Sequence, residues 1–176
     1  LGLFGAALGY AAALQGRLAE GRALLEEAIS EGLRTGVLTG RAHRVAWLSE
    51  VSLLAGRLED AHTRAAQAVD LARQYQQRGT QAWALWILGE STTRQAFPES
   101  EIAMGHYRQA LALAEELGMR PLQAHCHRGL GTLSATTGRR EQARSELSTA
   151  LTMYQSMDMT CWLPQTEAAL AQVDAR

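Results

Sequence analysis

His125-Cys126-His127 sets three metal-ligating side chains next to one another. Zinc takes four converging nitrogen or sulfur ligands, and no second Cys/His pair stands in register with the triplet. Within a helix, neighbours at i and i+2 point to different sides, so the two histidines do not share one ion. The triplet is read instead as a groove-facing His125 and a packed His127. Cys126 and Cys161 read as small apolar residues. Two cysteines make no disulfide framework, so nothing points to an oxidising compartment, and a cytoplasmic location is expected. Gly129-Leu130-Gly131 has the look of a dinucleotide loop, but it falls mid-helix with no strand before it. The chain carries no Walker loop, nucleophile elbow or H-E-x-x-H. No metal, cofactor or catalysis is expected of it.

The composition narrows the remaining classes. In 176 residues, 17 Lys+Arg stand against 18 Asp+Glu, and this balance argues against a nucleic-acid binder. With 47% hydrophobic residues the chain is too apolar for disorder, and its length suits one domain. Ala and Leu are abundant while Val and Ile are scarce, a helix-forming bias. The opening run Leu1 to Leu14 has no charge and contains the spacing Gly5-x-x-x-Gly9. It is shorter than the roughly 20 residues a bilayer span needs, so no membrane partner is expected. A first residue that is Leu reads as a segment of something longer.

Any chemistry must be positioned by helices, and those helices repeat. Gly16-Arg17-Leu18-Ala19-Glu20-Gly21 aligns with Gly56-Arg57-Leu58-Glu59-Asp60-Ala61 and with Gly138-Arg139-Arg140-Glu141-Gln142-Ala143. Seven residues beyond each final small residue stands Ala28, Ala68 or Ala150. Upstream, at a fixed distance from each Gly, stand Leu8, Leu48 and Leu130. Another copy has Leu88-Gly89 upstream and Ala103 and Ala110 downstream, so the Leu spacings are 40, 40 and 42. The two extra residues fall in the turn from Gln95 to Ser100, where a loop absorbs them. Leu170 opens a fifth copy that stops after one helix.

Each copy reads as two antiparallel helices, with the Gly-Arg turn supplying a residue tolerant of the left-handed region. The expected helices are 1–15, 18–34, 39–55, 58–77, 79–94, 99–118, 121–137, 140–156 and 161–174. Pro121 suits a first helical turn, and Pro164 moves the start of the last helix two or three residues later. The expected fold is all-α: a right-handed α-solenoid of stacked helix-turn-helix repeats in one domain, 1–176. Its repeats are 1–38, 39–78, 79–120 and 121–160, with a terminal capping helix at 161–174. The i,i+4 pairs Arg22/Glu26 and Asp60/Arg64 are expected on a solvated outer face.

These features resemble the tetratricopeptide repeat family. The likeness rests on Leu8-Gly9, Leu88-Gly89 and Leu130-Gly131, on the Gly-Arg turns and on the paired alanines Ala61, Ala65, Ala68 and Ala72. The family's usual repeat is about 34 residues, whereas HEAT-type repeats run about 40; the turn with its downstream Ala favours the former. Ser49 in place of the helix Gly, Gly21 in place of Ala, and the enlarged third turn depart from the pattern. The long repeats look like arrays in bacterial signalling proteins that join a STAND-class ATPase to a sensor. Transcription activators of the maltose-regulon type and multidomain adenylate or guanylate cyclases are examples. The stretch from Tyr154 to Val173 is similar to the end of the cyclase-linked arrays.

The resemblance implies a concave groove lined by first helices. Steps of three, four and three about each marker Leu place His43, Ala46, Glu50 and Leu53 on one face. The next repeat places Trp83, Trp86, Glu90 and Thr93 there, the fourth His125, Arg128, Thr132 and Ala135, and the first Leu3, Ala6, Tyr10 and Ala13. Trp83 and Trp86, flanked by Glu90, Arg94 and Arg128, suit a peptide with apolar anchors and some charge; equally, both tryptophans fill space between first helices. Glu50 and Glu90 face a basic ligand, or else stand as a solvated pair or contact Arg44 and Arg94. The family's carboxylate clamp needs Asn, and the chain has none, so a chaperone-tail adaptor is not expected. The expected function is protein or peptide recognition, or regulation of a neighbouring domain in a bacterial signalling protein. The alternative is a small-molecule sensor for an attached ATPase or cyclase. Leu1, Leu3, Phe4 and Leu8 have no preceding repeat to cover them, so this end is expected to bury against another copy, as a homodimer, or against a further repeat.

Overall fold

A computed structural model describes residues 2–95 and 99–175, with side chains from Phe4 onward. The helices are α1 (Gly2–Leu14), α2 (Leu18–Thr35), α3 (Arg41–Leu54), α4 (Leu58–Gln74), α5 (Arg78–Thr93), α6 (Ser100–Glu116), α7 (Arg120–Thr136), α8 (Arg140–Ser156) and α9 (Leu163–Asp174). A single 3₁₀ turn, Thr160–Trp162, precedes α9. Pro164 lies in the first turn of α9, where its missing N–H is no loss, and the helix begins two residues after position 161. Among the described residues there is no strand. Leu1, the Leu3 side chain and residues 96–98 of the enlarged third turn lie outside the described residues.

The turns explain why the hairpins recur. At Gly16, Gly56 and Gly138, φ is +86°, +72° and +77°, a region that favours glycine. The N–H of the following Arg closes back on the helix end: Arg17 on Ala12 O at 3.0 Å, Arg57 on Ser52 O at 2.9 Å and Arg139 on Ser134 O at 2.9 Å. Three turns of one geometry therefore terminate three first helices and reverse the chain.

Each hairpin packs through its small residues. A Cβ on Gly9 would stand 2.8 Å from Gly21 O, and one on Gly21 would strike Gly9 O and stand 2.7 Å from Ala13 Cβ. Thus α1 and α2 cross backbone against backbone. At the same place in α3, Ser49 is tolerated because its hydroxyl donates to Ala61 O at 2.7 Å. Gly89 and Gly129 leave room for the Tyr107 ring, and Gly131 for Leu147.

Successive hairpins stack in two layers. First helices touch the first helices on either side, α1 to α3, α3 to α5, α5 to α7 and α7 to α9, whereas second helices make no backbone contact with one another. The wider-spaced second layer must lie outside, so the array bends toward α1, α3, α5, α7 and α9 as an all-α solenoid. The outer ion pairs do more than solvate that face. Arg22 reaches Asp60 at 3.1 Å and Arg64 reaches Glu26 at 3.6 Å, linking α2 to α4. Being partly exposed, each is worth about 0–1 kcal/mol.

The core is continuous from α3 to α7. Leu48, Leu88 and Leu130 are buried, but their counterpart Leu8 is 59% exposed and Phe4 is 82% exposed.

The crossing at Gly21 yields a test. Repeats two and four carry Ala61 and Ala143 at that place, and Gly21→Ala adds about 1 kcal/mol of helix propensity. It is nonetheless expected to lower stability in urea unfolding by about 1–2 kcal/mol net, because the methyl meets backbone rather than a yielding side chain. An unchanged or raised midpoint would show that α1 and α2 separate freely.

Candidate functional site

The inner layer carries an aromatic band. Tyr10 of α1 stacks on Trp47 of α3, ring centroids 4.8 Å apart and planes 6° from parallel, and His43 lies 4.3 Å from Trp47. Trp83 and Trp86 of α5 stand 5.3 Å apart. His125 of α7 lies 5.3 Å from Trp86 and 4.6 Å from Trp162, with Tyr154 of α8 at 5.5 Å. Helical spacing accounts for the band, since 43 and 47, or 83 and 86, share a face of one helix.

Two buried carboxylates tie the band together. Glu50 on α3 accepts from the Tyr10 hydroxyl at 2.8 Å and from the Trp83 indole N–H at 2.7 Å, so one side chain joins α1, α3 and α5. Burial raises the Glu50 pKa, and the two hydrogen bonds oppose that rise. Burial, then the Glu50 charge, pushes the Tyr10 hydroxyl up as well. Glu90 on α5 accepts from Arg94 at 2.6 Å and from the Tyr107 hydroxyl at 2.9 Å, and lies 3.6 Å from Arg128. Arg94 therefore meets its carboxylate, whereas Arg44 instead donates to Val37 O at 3.3 Å.

The expected groove residues divide by exposure. Trp86, Glu90 and His125 are buried, and the Trp86 indole N–H meets no acceptor among the described residues. Trp83 and Arg128 are half-buried, and His43, Arg94 and Thr132 are exposed. Thr132 stands apart, lining a cavity of about 260 Å³ between α7 and α9 with Ala135, Ala169 and Val173. His125 meets the Tyr154 hydroxyl at 2.8 Å while His127 pairs with Glu146 at 2.7 Å, so the two imidazoles engage separate partners about two turns apart on α8.

The open part of the band lies nearer α1. Tyr10, His43, Ala46, Trp47, Thr80 and Trp83 surround a pocket of about 540 Å³, closed on one side by Gly79 and Met119. Trp47, Tyr154, Trp162 and Met119 were not among the expected site residues. Trp47 was within reach of the sequence, four residues after His43; Met119 arrives from the turn between α6 and α7, which no spacing indicates.

No known family profile matches the chain, and no curated protein matches it in sequence. The pH response of the band follows from burial. Burial, then the nearby Arg128 charge, lowers His125 to about 4, so the unfolded chain binds this proton more readily than the folded one. Stability held above the ordinary value near 6.5 is thus expected to fall by about 2–3 kcal/mol as pH drops to about 4, and His125→Gln flattens that fall. Glu50 has the opposite sign: with its pKa raised, the folded chain holds this proton more readily than the unfolded one. The side chain thus destabilises near neutral pH and has no such effect below about 4, where both states are protonated. Glu50→Gln, which keeps an acceptor, is expected to raise stability near neutrality and not in acid. Urea unfolding across this range checks both, and an unflattened His125→Gln profile or a weakened Glu50→Gln protein at neutral pH contradicts them.

Solved structures supply the remaining comparison. The chain is similar to RapI in the crystal structure of its apo form, with a TM-score of 0.80 and 18% sequence identity. The match covers 99% of this chain and 63% of that one, so the chain spans less than two thirds of the neighbour's length. At this identity the likeness speaks for the fold: an all-α helical-repeat array.

Proposed function

We propose that residues 1–176 form one regulatory docking module, which binds a peptide or a partner domain along its inner face and performs no catalysis itself. The reading places the module in the cytoplasm, within a larger bacterial signalling protein of the ATPase- or cyclase-linked kind that the repeats resemble. Its observation is the pocket of about 540 Å³ walled by Tyr10, Trp47 and Trp83. Rigid aromatic side chains lose little entropy on contact and bury large areas, which makes them the usual anchors of recognition. Of the expected groove residues, His43, Trp83, Arg94 and Arg128 are the exposed or half-buried ones that a ligand meets. Glu50, Trp86, Glu90 and His125 hold them in place from behind; Thr132 belongs to the α7–α9 cavity.

A second reading has its own observation. About 540 Å³ falls inside the range of small-molecule sites, roughly 300–1,000 Å³. A metabolite would then raise the melting temperature of the isolated chain, whereas a docking module is stabilised by peptides.

Panning a displayed random peptide library against the chain tests the first reading. Enriched peptides are expected to carry aliphatic or aromatic anchors. Trp47→Ala is expected to weaken the synthesised peptides by about 2 kcal/mol with helicity unchanged, and Thr80→Trp, which fills the pocket, to block them. Absence of enrichment, or peptides indifferent to both substitutions, refutes the groove.

A further inference from the structure

Glu50 and Glu90 occupy one register position, two residues after Leu48 and Leu88, yet their charges are met differently. Around Glu90 the chain supplies its own cations. Arg94, four residues on, lies 2.6 Å from Oε2, and Arg128 of α7 brings a nitrogen to 3.6 Å from Oε1. The Arg128 guanidinium also lies over the Trp162 ring, 5.0 Å from its centroid. Carboxylate, delocalised cation and aromatic face are all assembled from within.

At Glu50 the equivalent positions hold no cation. Leu54 stands where Arg94 does, and Trp86 where Arg128 does. Among the described residues, the hydrogen-bond partners of the Glu50 carboxylate are the Tyr10 hydroxyl and the Trp83 indole, both neutral donors. Those two side chains also line the pocket, together with Trp47 and His43. Burial lowers the His43 pKa, so this imidazole adds no positive charge at neutral pH. Electron-rich ring faces thus front an uncompensated buried carboxylate, and both attract a cation.

Resting on the docking groove proposed above, we infer that this pocket receives the guanidinium of an arginine side chain on the bound peptide, completing at Glu50 the arrangement that Arg128 completes at Glu90. A guanidinium suits the site better than an ammonium. It is planar, less strongly hydrated and stacks on aromatic faces, so it leaves water for Trp47 and Trp83 more readily.

Calorimetric titration of the whole chain tests this, using N-acetyl-arginine amide, an acetylated and amidated Ala-Arg-Ala peptide, and citrulline versions of both as neutral isosteres, all at millimolar concentration. The arginine peptide is expected to bind about tenfold more tightly than its citrulline twin. Glu50→Gln, which keeps an acceptor for Tyr10 and Trp83, removes that preference. Leu54→Arg removes it too: Leu54 is 48% exposed, and an arginine there reproduces the relation of Arg94 to Glu90. Equal binding of arginine and citrulline peptides, or a preference that survives both substitutions, overturns the inference. So does a preference shown by free N-acetyl-arginine amide with no gain for the peptide, which assigns the pocket to a small cation. If the arginine probes fail while library-selected peptides bind, the guanidinium site falls and the groove stands; if the selected peptides fail as well, both fall.

Discussion

Close approach of paired helices is the constraint on which this molecule depends. Where α1 crosses α2, Gly9 and Gly21 bring backbone against backbone, and no side chain larger than hydrogen fits either place. The other hairpins meet the same demand with different residues. Ser49 turns the contact into a hydrogen bond to Ala61 O, and Gly131 yields its space to Leu147. Interiors pack at crystal-like density, so a small residue in one helix and a matched surface in the other are one feature. Recurrence at a stride near 40 residues makes each hairpin a unit that buries its apolar face only by stacking on the next.

Stacking creates a second problem, which the buried carboxylates address. First helices of neighbouring repeats contact one another over a narrow inner strip, where aromatic rings dominate. Rings slide easily over one another, and hydrogen bonds to a fixed acceptor give them register. Glu50 fixes Tyr10 of α1 and Trp83 of α5 to α3; Glu90 fixes Tyr107 of α6 and Arg94 to α5, with Arg128 of α7 beside it. Burying a carboxylate is costly unless donors converge on it. Glu90 combines a cation with a tyrosine hydroxyl, while Glu50 relies on neutral donors alone. That difference makes the two halves of the inner face chemically unlike, closed around Glu90 and His125, open around Trp47 and Trp83.

Exposure follows the same division. Trp86 and His125 stand where the band is covered by α7, α8 and the turn before α9, and they are buried. Trp83 and His43 stand where it fronts the pocket. Leu48, Leu88 and Leu130 are covered in the later repeats, whereas among the described residues no helix covers Phe4 and Leu8 of α1.

The linear chain determined which elements form and how they recur. Gly16, Gly56 and Gly138 impose a left-handed residue where helices must end, and the spacing of Leu and Ala puts one apolar stripe on each helix, so fold class and boundaries were legible to within a few residues. Periodicity also placed Glu50, Trp83, Glu90 and His125 on one side of the first helices. It could not say which of them stay accessible, because exposure depends on what the next repeat sets opposite. Met119 reaches the pocket from the turn after α6, Trp162 reaches His125 from beyond α8, and Arg128 comes within 3.6 Å of Glu90 because of where α7 lands. Such contacts join residues about 30 to 40 positions apart. Side-chain reach across a stacked interface decides them, and that exists once the hairpins have packed.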